Sequence, residues 1–394
     1  MLAVIMRRLD PVFRLVATIA AAACAVSAAD IAGRIQRVEQ GLRAPTSDKG
    51  QAQPKWTIAE RLAFYKVPGV SVAVIDEGKI EWARGYGVTA ADGGKPVNAD
   101  TLFQAASISK HVGAMVALHL VEQGKLALDE DVNLKLRSWK VPENEFTKTQ
   151  KVTLRRLLNH SAGLTVHGFR GYAAGEAVPT LVELLKGVKP ANSAAIVADM
   201  EPGSKWRYSG GGYEVMQQLV MDVSGKPFPQ LAQEIVIGPL RLTHSTFEQP
   251  LPTRLEGNAA AGHRQDGSMI QGRWHTYPEM TAAGMWTTPS DLARVAIEIQ
   301  SGNRILKPAT KEAMLTEVLG GYGLGLGLKS TDGQKSFAHG GGNEGFRCFL
   351  FAYREGGRGA VVMTNGDRGS GVADEILRSI AAEYGWPDYR VTEK

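Results

Sequence analysis

A serine and a lysine three residues apart, Ser107 and Lys110, stand in the stretch Gln104-Ala105-Ala106-Ser107-Ile108-Ser109-Lys110. The run from Lys110 to Gln123 lacks proline, is rich in Ala, Val, Leu and Met, and stops at Gly124. That pattern predicts a buried helix ending on a glycine cap. Three helical residues rise ~4.5 Å and return to nearly the same face, which would make hydroxyl and amine neighbours. An amine so placed is a candidate base for a serine nucleophile. A capping serine beside a solvated lysine gives the same pattern, so the pair alone decides nothing.

Two further stretches carry residues of the right type. Tyr208-Ser209-Gly210-Gly211-Gly212-Tyr213 precedes a helical pattern, and on its own reads as a helix-entry loop. His339-Gly340-Gly341-Gly342-Asn343-Glu344-Gly345-Phe346 lies on and after a strand-like run, where glycines form a bulge or let backbone approach a ligand closely.

The elements that would position these residues follow from periodicity and punctuation. Ile31, Ile35, Val38 and Leu42 have helical spacing, and the polar stretch from Thr46 to Pro54 reads as a linker. Thr57 and Glu60 form a capping box for a helix ending before Pro68. Val70–Ile75 and Ile80–Val88 flank Asp76-Glu77-Gly78-Lys79 as a β-hairpin. From Leu126 to Gly284 the pattern is largely helical, with Thr180 and Glu183 capping one short helix and Gly225 ending another. Strand signals return at Tyr322–Leu328, which alternates with period two, at Phe346–Tyr353 and at Ala360–Thr364. A helix from Thr288 and a closing helix over Val372–Tyr384 complete the chain. The predicted architecture is α+β, an α/β sandwich. Its antiparallel sheet draws strands from both chain ends, with a mostly helical domain inserted. The expected division is residues 1–29 as signal peptide, 30–55 as N-terminal helix and linker, 56–125 with 285–394 as the α/β domain, and 126–284 as the helical domain. The active site is expected between the last two.

Composition bounds the rest. The chain has 394 residues, a formal charge of +5 and an ordinary soluble proportion of apolar and charged residues. No block of like charge suggests a nucleic-acid surface. Arg7, Arg8 and Arg14 precede an apolar run from Leu15 to Val26 and then Ser27-Ala28-Ala29, the pattern of a secretory signal peptide. Its removal leaves about +3 and an exported, periplasmic or secreted chain with no membrane span. Cys24 after Ala21-Ala22-Ala23 loosely resembles a lipoprotein cleavage site. Only Cys24 and Cys348 are present, so no disulfide is expected, and Cys348 reads as core. The eight histidines form no H-E-x-x-H pair, and neither a metal nor another cofactor is expected.

Taken in order and spacing, the three stretches resemble the serine enzymes of the penicillin-binding protein and class C β-lactamase superfamily, most closely its esterase-like branch. Ser107–Lys110 matches the S-x-x-K element, Tyr208-Ser209-Gly210 the Tyr-x-Asn element, and His339-Gly340-Gly341 the Lys-Thr-Gly element. His160-Ser161-Ala162-Gly163-Leu164 and Ala283-Gly284-Met285-Trp286-Thr287-Thr288 agree as well, and the likeness runs from about Trp56 to Trp386. It implies a β-lactamase/transpeptidase-like fold and a serine hydrolase that forms an acyl-enzyme on Ser107. Catalytic positions would be Ser107, Lys110, Tyr208 and His339, with Lys110 and Tyr208 handling the proton. The oxyanion would sit between the backbone N–H groups of Ser107 and Gly342, and Gly210, Gly340 and Gly341 would line the substrate pocket.

Two departures bear on substrate. Gly210 stands where the pattern often has asparagine, so no side-chain amide is offered to an amide-bearing substrate. His339 stands where many lactam-processing members have lysine, and histidine is a weaker anchor for a carboxylate at pH 7. Both favour ester hydrolysis over cleavage of a β-lactam or a D-amino-acid peptide; the expected substrate is a small ester or amide, with carboxylesterase ranked first, β-lactamase second and D-amino-acid peptidase third. A binding or sensing protein that keeps the fold without turnover is the rival of another class. Oligomeric state is not legible.

Overall fold

The computed structural model describes residues 30–50 and 52–393. The leader segment read over residues 1–29, Cys24 included, lies outside the described residues. Residues 30–39 are helical, and the supposed linker contributes a two-residue strand, Thr46–Ser47, paired parallel with Thr392–Glu393. Helix α1 (Ile58–Tyr65) begins at Thr57 with both bonds of the capping box formed.

The central sheet has six strands: β1 (Gly69–Asp76), β2 (Lys79–Gly87), β3 (Gly327–Thr331), β4 (Gln334–Asn343), β5 (Phe346–Tyr353) and β6 (Gly359–Thr364). Their spatial order is β2-β1-β6-β5-β4-β3, with every neighbouring pair antiparallel. Strands from early and late in the chain therefore meet in one sheet, and the fold is the α+β sandwich expected. Side chains alternate across a strand, so Ala73, Ile75, Val361 and Met363 enter one core while Val70, Val72, Val74, Ala360 and Val362 enter another. Burial on both faces is why β1 reads as an almost unbroken apolar run.

Five further helices matter for the site or the sheet. They are α2 (Ser109–Glu122), α3 (Gly210–Ser224), the single turn α4 (Met280–Ala283), α5 (Pro289–Gln300) and α6 (Gly369–Tyr384). Helix α5 shares the first core and α6 the second, so the sheet is covered on both faces. Helix α2 is buried nearly all round, with Val112, Met115, Val116, Leu118 and Leu120 each almost inaccessible. Burying five such side chains stabilises by on the order of 10 kcal/mol before ordering entropy is counted. That packing makes α2 a rigid mount.

One strand expectation is overturned. Of Tyr322–Leu328 only the last two residues are extended. The rest is a looped segment in which Gly325 takes a positive φ of 99°, as does Gly321 just before it at 74°. Its backbone bonds go to separate places, Leu324 N–H to Met314 O and Gly325 N–H to Leu158 O, rather than to a strand neighbour. Leu324 and Leu326 are fully buried, so the alternation reflects leucines anchored in the core and glycines that let the chain turn.

Candidate active site

Ser107 lies in the 3₁₀ turn Ala106–Ile108 that feeds α2, and Lys110 lies in the first turn of α2. Lys110 Nζ is 3.2 Å from Ser107 Oγ and donates to Ala282 O at 2.7 Å. The lysine is almost completely buried, and among the described residues its hydrogen-bond partners are the Ser107 hydroxyl and the Ala282 carbonyl, with no carboxylate. Immediately before the serine, Ala106 has φ of 48°, a left-handed conformation that costs a residue with a Cβ roughly 1–2 kcal/mol. Strain of this kind persists where surrounding structure imposes it, and here the imposing contacts are visible. Ala105 N–H donates to Met285 O at 2.8 Å, Ser109 Oγ donates to Ala106 O at 2.6 Å, and Met285 N–H donates to Ser109 Oγ at 3.0 Å. Ser109 is thus a buried structural bridge, and Ser107 is the serine left facing the cleft.

Tyr208 is brought in from a hundred residues away. Its ring centroid is 5.0 Å from Lys110 Nζ, and that of Tyr213 is 5.3 Å away, so the amine sits over two aromatic rings. The His160 ring stacks on Tyr208 at 4.2 Å between centroids, and its Nδ1 accepts the Ser209 N–H at 3.1 Å. His160 therefore positions the tyrosine. Ser209 caps α3, and the next two N–H groups donate to loop carbonyls, Gly210 to His167 O and Gly211 to Val166 O, both at 3.0 Å. This clasp places Phe169 against Gly210. A Cβ at residue 210 would meet His167 O at 3.0 Å and the Phe169 ring at 3.1 Å. An aromatic wall stands where a longer side chain on residue 210 would begin.

The third wall is β4. His339, Gly340 and Gly342 line the same cleft of about 400 Å³ as Ser107, Lys110, Tyr208 and Gly210. Gly341 does not line it, and its expected place in the substrate pocket is corrected. A Cβ there would meet Ala105 O and Cys348 Sγ, each at 2.4 Å, so this glycine lets the sheet press against the backbone that carries Ser107. Cys348 is buried core as expected, its thiol pushed up by burial. Asn343 Nδ2 donates to Gln104 Oε1 at 2.8 Å and to Ala283 O at 3.1 Å, joining β4 to the chain before the serine and to α4.

Among the described residues, Lys110 is the one Lys, Arg, Asp or Glu side chain that lines the cleft. Burial, and secondarily the Lys110 charge, bring His339 down to about 3, so it is uncharged at pH 7. Its Nδ1–H donates to Gly340 O at 2.6 Å, which leaves the lone pair on a water-sealed Nε2. Burial also holds His111 and His160 well below the usual histidine range. The geometry thus combines a hydroxyl, an adjacent amine, a nearby phenol and a strand edge rich in glycine. Those groups can move a proton off Ser107 and admit a substrate carbonyl beside it.

Residue-type reasoning did not single out Phe169, Trp206 or Glu214. Phe169 and Trp206 line the cleft, and Glu214 is fully buried behind it. Only Glu214 left a trace in the sequence, as an acid among the apolar positions of a buried helix. Tyr213, His263 and Trp286 are buried without lining the cleft, and partly buried Trp274 packs against the core.

A family model described as Beta-lactamase matches residues 56–383. Among curated relatives, Protein flp of Staphylococcus aureus (strain N315) is 25% identical over 229 residues, 57% of this chain and 42% of that protein. Esterase EstB of Burkholderia gladioli is 28% identical over 235 residues, 57% of this chain and 58% of the esterase. The chain thus spans about half the length of either. Among solved structures, the D-amino acid amidase from Ochrobactrum anthropi SV3 superposes with a TM-score of 0.69 at 20% identity, covering 90% of this chain and 99% of that one. At that identity the superposition speaks for the fold. The family match takes in all three motif stretches and most of the chain, and the protein belongs to the β-lactamase family.

Proposed function

We propose that the protein is a serine hydrolase that cleaves small carboxylic esters through an acyl-enzyme on Ser107. The observation that carries this reading is the buried Lys110 amine 3.2 Å from Ser107 Oγ at the floor of a cleft that Tyr208 also lines. Ser107 Oγ attacks the ester carbonyl as its proton passes to the Lys110–Tyr208 pair. The oxyanion is held by the backbone N–H groups of Ser107 and Gly342. The C–O bond then breaks, the alcohol leaves with the transferred proton, and water hydrolyses the acyl-enzyme to a carboxylic acid and free Ser107. The Phe169 ring beside Gly210 and the neutral His339 support esters, since neither an amide donor nor a cation is offered to a lactam or peptide at those positions. β-Lactam hydrolysis is the second reading, favoured by the family match, and D-amino-acid peptide cleavage the third. The same proposal takes the protein to be exported, on the strength of its basic-then-apolar leader.

Mass spectrometry after fluorophosphonate treatment tests the nucleophile: an adduct on Ser107 is expected, and its absence, or a fully active Ser107→Ala variant, refutes the reading. Removing the nucleophile is expected to lower kcat by at least ~10³-fold. Rates on p-nitrophenyl butyrate and nitrocefin rank the substrates, and faster nitrocefin turnover would put the lactam first.

A further inference from the structure

Glu214 is a buried carboxyl that the chemistry above does not use. It sits on α3, six residues after Tyr208, and is fully inaccessible to solvent. Its Oε1 accepts the Ala282 N–H at 3.1 Å and lies 3.3 Å from the Thr281 hydroxyl, which itself donates to Tyr213 O at 2.7 Å. One turn further along the same helical face, Gln217 Oε1 accepts the Thr281 N–H at 2.9 Å. Two side chains three residues apart therefore grip two successive peptide groups of α4. The second of those residues, Ala282, presents its carbonyl to Lys110 Nζ at 2.7 Å. A continuous path runs from the helix that follows Tyr208, through one turn of α4, to the amine beside Ser107.

Burial, and secondarily the neighbouring Glu279 carboxyl, hold the carboxyl well above its usual range, and its Oε1 serves as an acceptor. An apolar residue would pack at such a site without desolvation cost, so an acid here signals a polar task. Glu214 does not line the cleft, which separates its action from substrate binding.

We propose that Glu214 is a positioning residue for the Ser107 chemistry: through Thr281 and Ala282 it sets where the Ala282 carbonyl holds the Lys110 amine against the serine. The proposal rests on Ser107 being the nucleophile. Without the acceptor, the Ala282 N–H is left buried and unpaired, and its peptide turns to find another partner. A displacement near 1 Å at a reacting group costs on the order of 10²-fold in rate.

The test compares Glu214→Met, which fills the volume without an acceptor, with Glu214→Gln, whose amide oxygen keeps it. The readouts are the rate of Ser107 labelling by a fluorophosphonate, and kcat and KM on p-nitrophenyl butyrate. E214M is expected to lose at least tenfold in labelling rate and kcat with KM within about twofold of the parent. E214Q is expected to recover to within about threefold. Parental labelling of E214M, an E214Q as slow as E214M, or a loss confined to KM overturns the proposal. If E214M does not fold, Thr281→Val, which removes the hydroxyl from the same bridge at constant volume, is expected to lose at least threefold in labelling. Parental labelling of T281V then overturns it. An unlabelled Ser107 in the parent instead removes the nucleophile reading, a result distinguishable from a labelled parent with unaffected variants.

Discussion

Replacing Gly341 by alanine adds one methyl group at the point where the sheet meets the nucleophile turn. The new Cβ would lie 2.4 Å from Ala105 O and from Cys348 Sγ and 3.2 Å from the Ala106 Cβ, where an ordinary contact begins at 3.4 Å. About 1 Å of clearance must therefore be found on two sides at once. Cys348 Sγ is the terminal atom of a buried side chain, packed against Ala105 O at 2.8 Å, and has little room to withdraw. The Ala105 carbonyl is main chain two residues before Ser107, so the cheapest relaxation moves the serine turn away from β4. Overpacking of this size destabilises by about 1–3 kcal/mol, and a shift near 1 Å at the nucleophile predicts a loss on the order of 10²-fold in kcat. The assay is turnover of p-nitrophenyl butyrate alongside a thermal melt, in the single variant and with Cys348→Ala added. The second change removes one clash and leaves the other, so recovery is expected to be partial. Parental kcat in Gly341→Ala would refute the reasoning, because the contact would then not set the position of Ser107. Full recovery in the double variant would show that the sulfur, and not the Ala105 carbonyl, is the contact that matters.

Gly210→Asn is expected to lower ester kcat/KM at least ~10-fold, since its Cβ enters space held by His167 O and the Phe169 ring, and Phe169→Ala in the same chain should restore part of it. The Glu279 carboxyl is raised by burial to about 8, so its contribution to stability is complete below the usual carboxylate range near pH 4.5 and is lost as pH climbs through 8. Denaturation midpoints across pH 5–9 should therefore fall on the alkaline side in the parent and fall less in Glu279→Gln. His339 has the opposite sign: lowered to about 3, its contribution is complete above pH 6.5 and is lost as pH drops toward 3, a loss that His339→Gln should reduce in acid denaturation. Edman sequencing of the protein recovered from an exporting bacterial host is expected to start at Asp30, and an intact Met1 would remove the signal-peptide reading.

Much of the local structure was legible because its causes are local. Thr57 with Glu60 and Thr180 with Glu183 are capping boxes whose bonds span three residues, and both form. Gly187, Gly225 and Gly385 end helices in the left-handed conformation that only a residue without a Cβ adopts freely. The hairpin over residues 69–87 turns at Glu77-Gly78, as its punctuation implied. Where local pattern misled, a distant contact was responsible. The Leu-Gly alternation before β3 has strand period, yet Leu324 and Gly325 bond to Met314 and Leu158, and the leucines are drawn into the core one by one.

The candidate site divides along the same line. Sequence alone placed Ser107 and Lys110 three residues apart at the start of a helix, a spacing that brings hydroxyl and amine close together. It also marked the tyrosine and the glycine-rich strand that accompany them. Tertiary structure decided what those groups touch. It set Lys110 on the Ala282 carbonyl and Phe169 in the space beyond Gly210, turned Gly341 from the cleft to the nucleophile turn, and placed Glu214 behind the amine. Each of these contacts joins residues tens to hundreds of positions apart. Their geometry follows from how helices and sheet pack against one another, and no periodicity within a single segment encodes that packing.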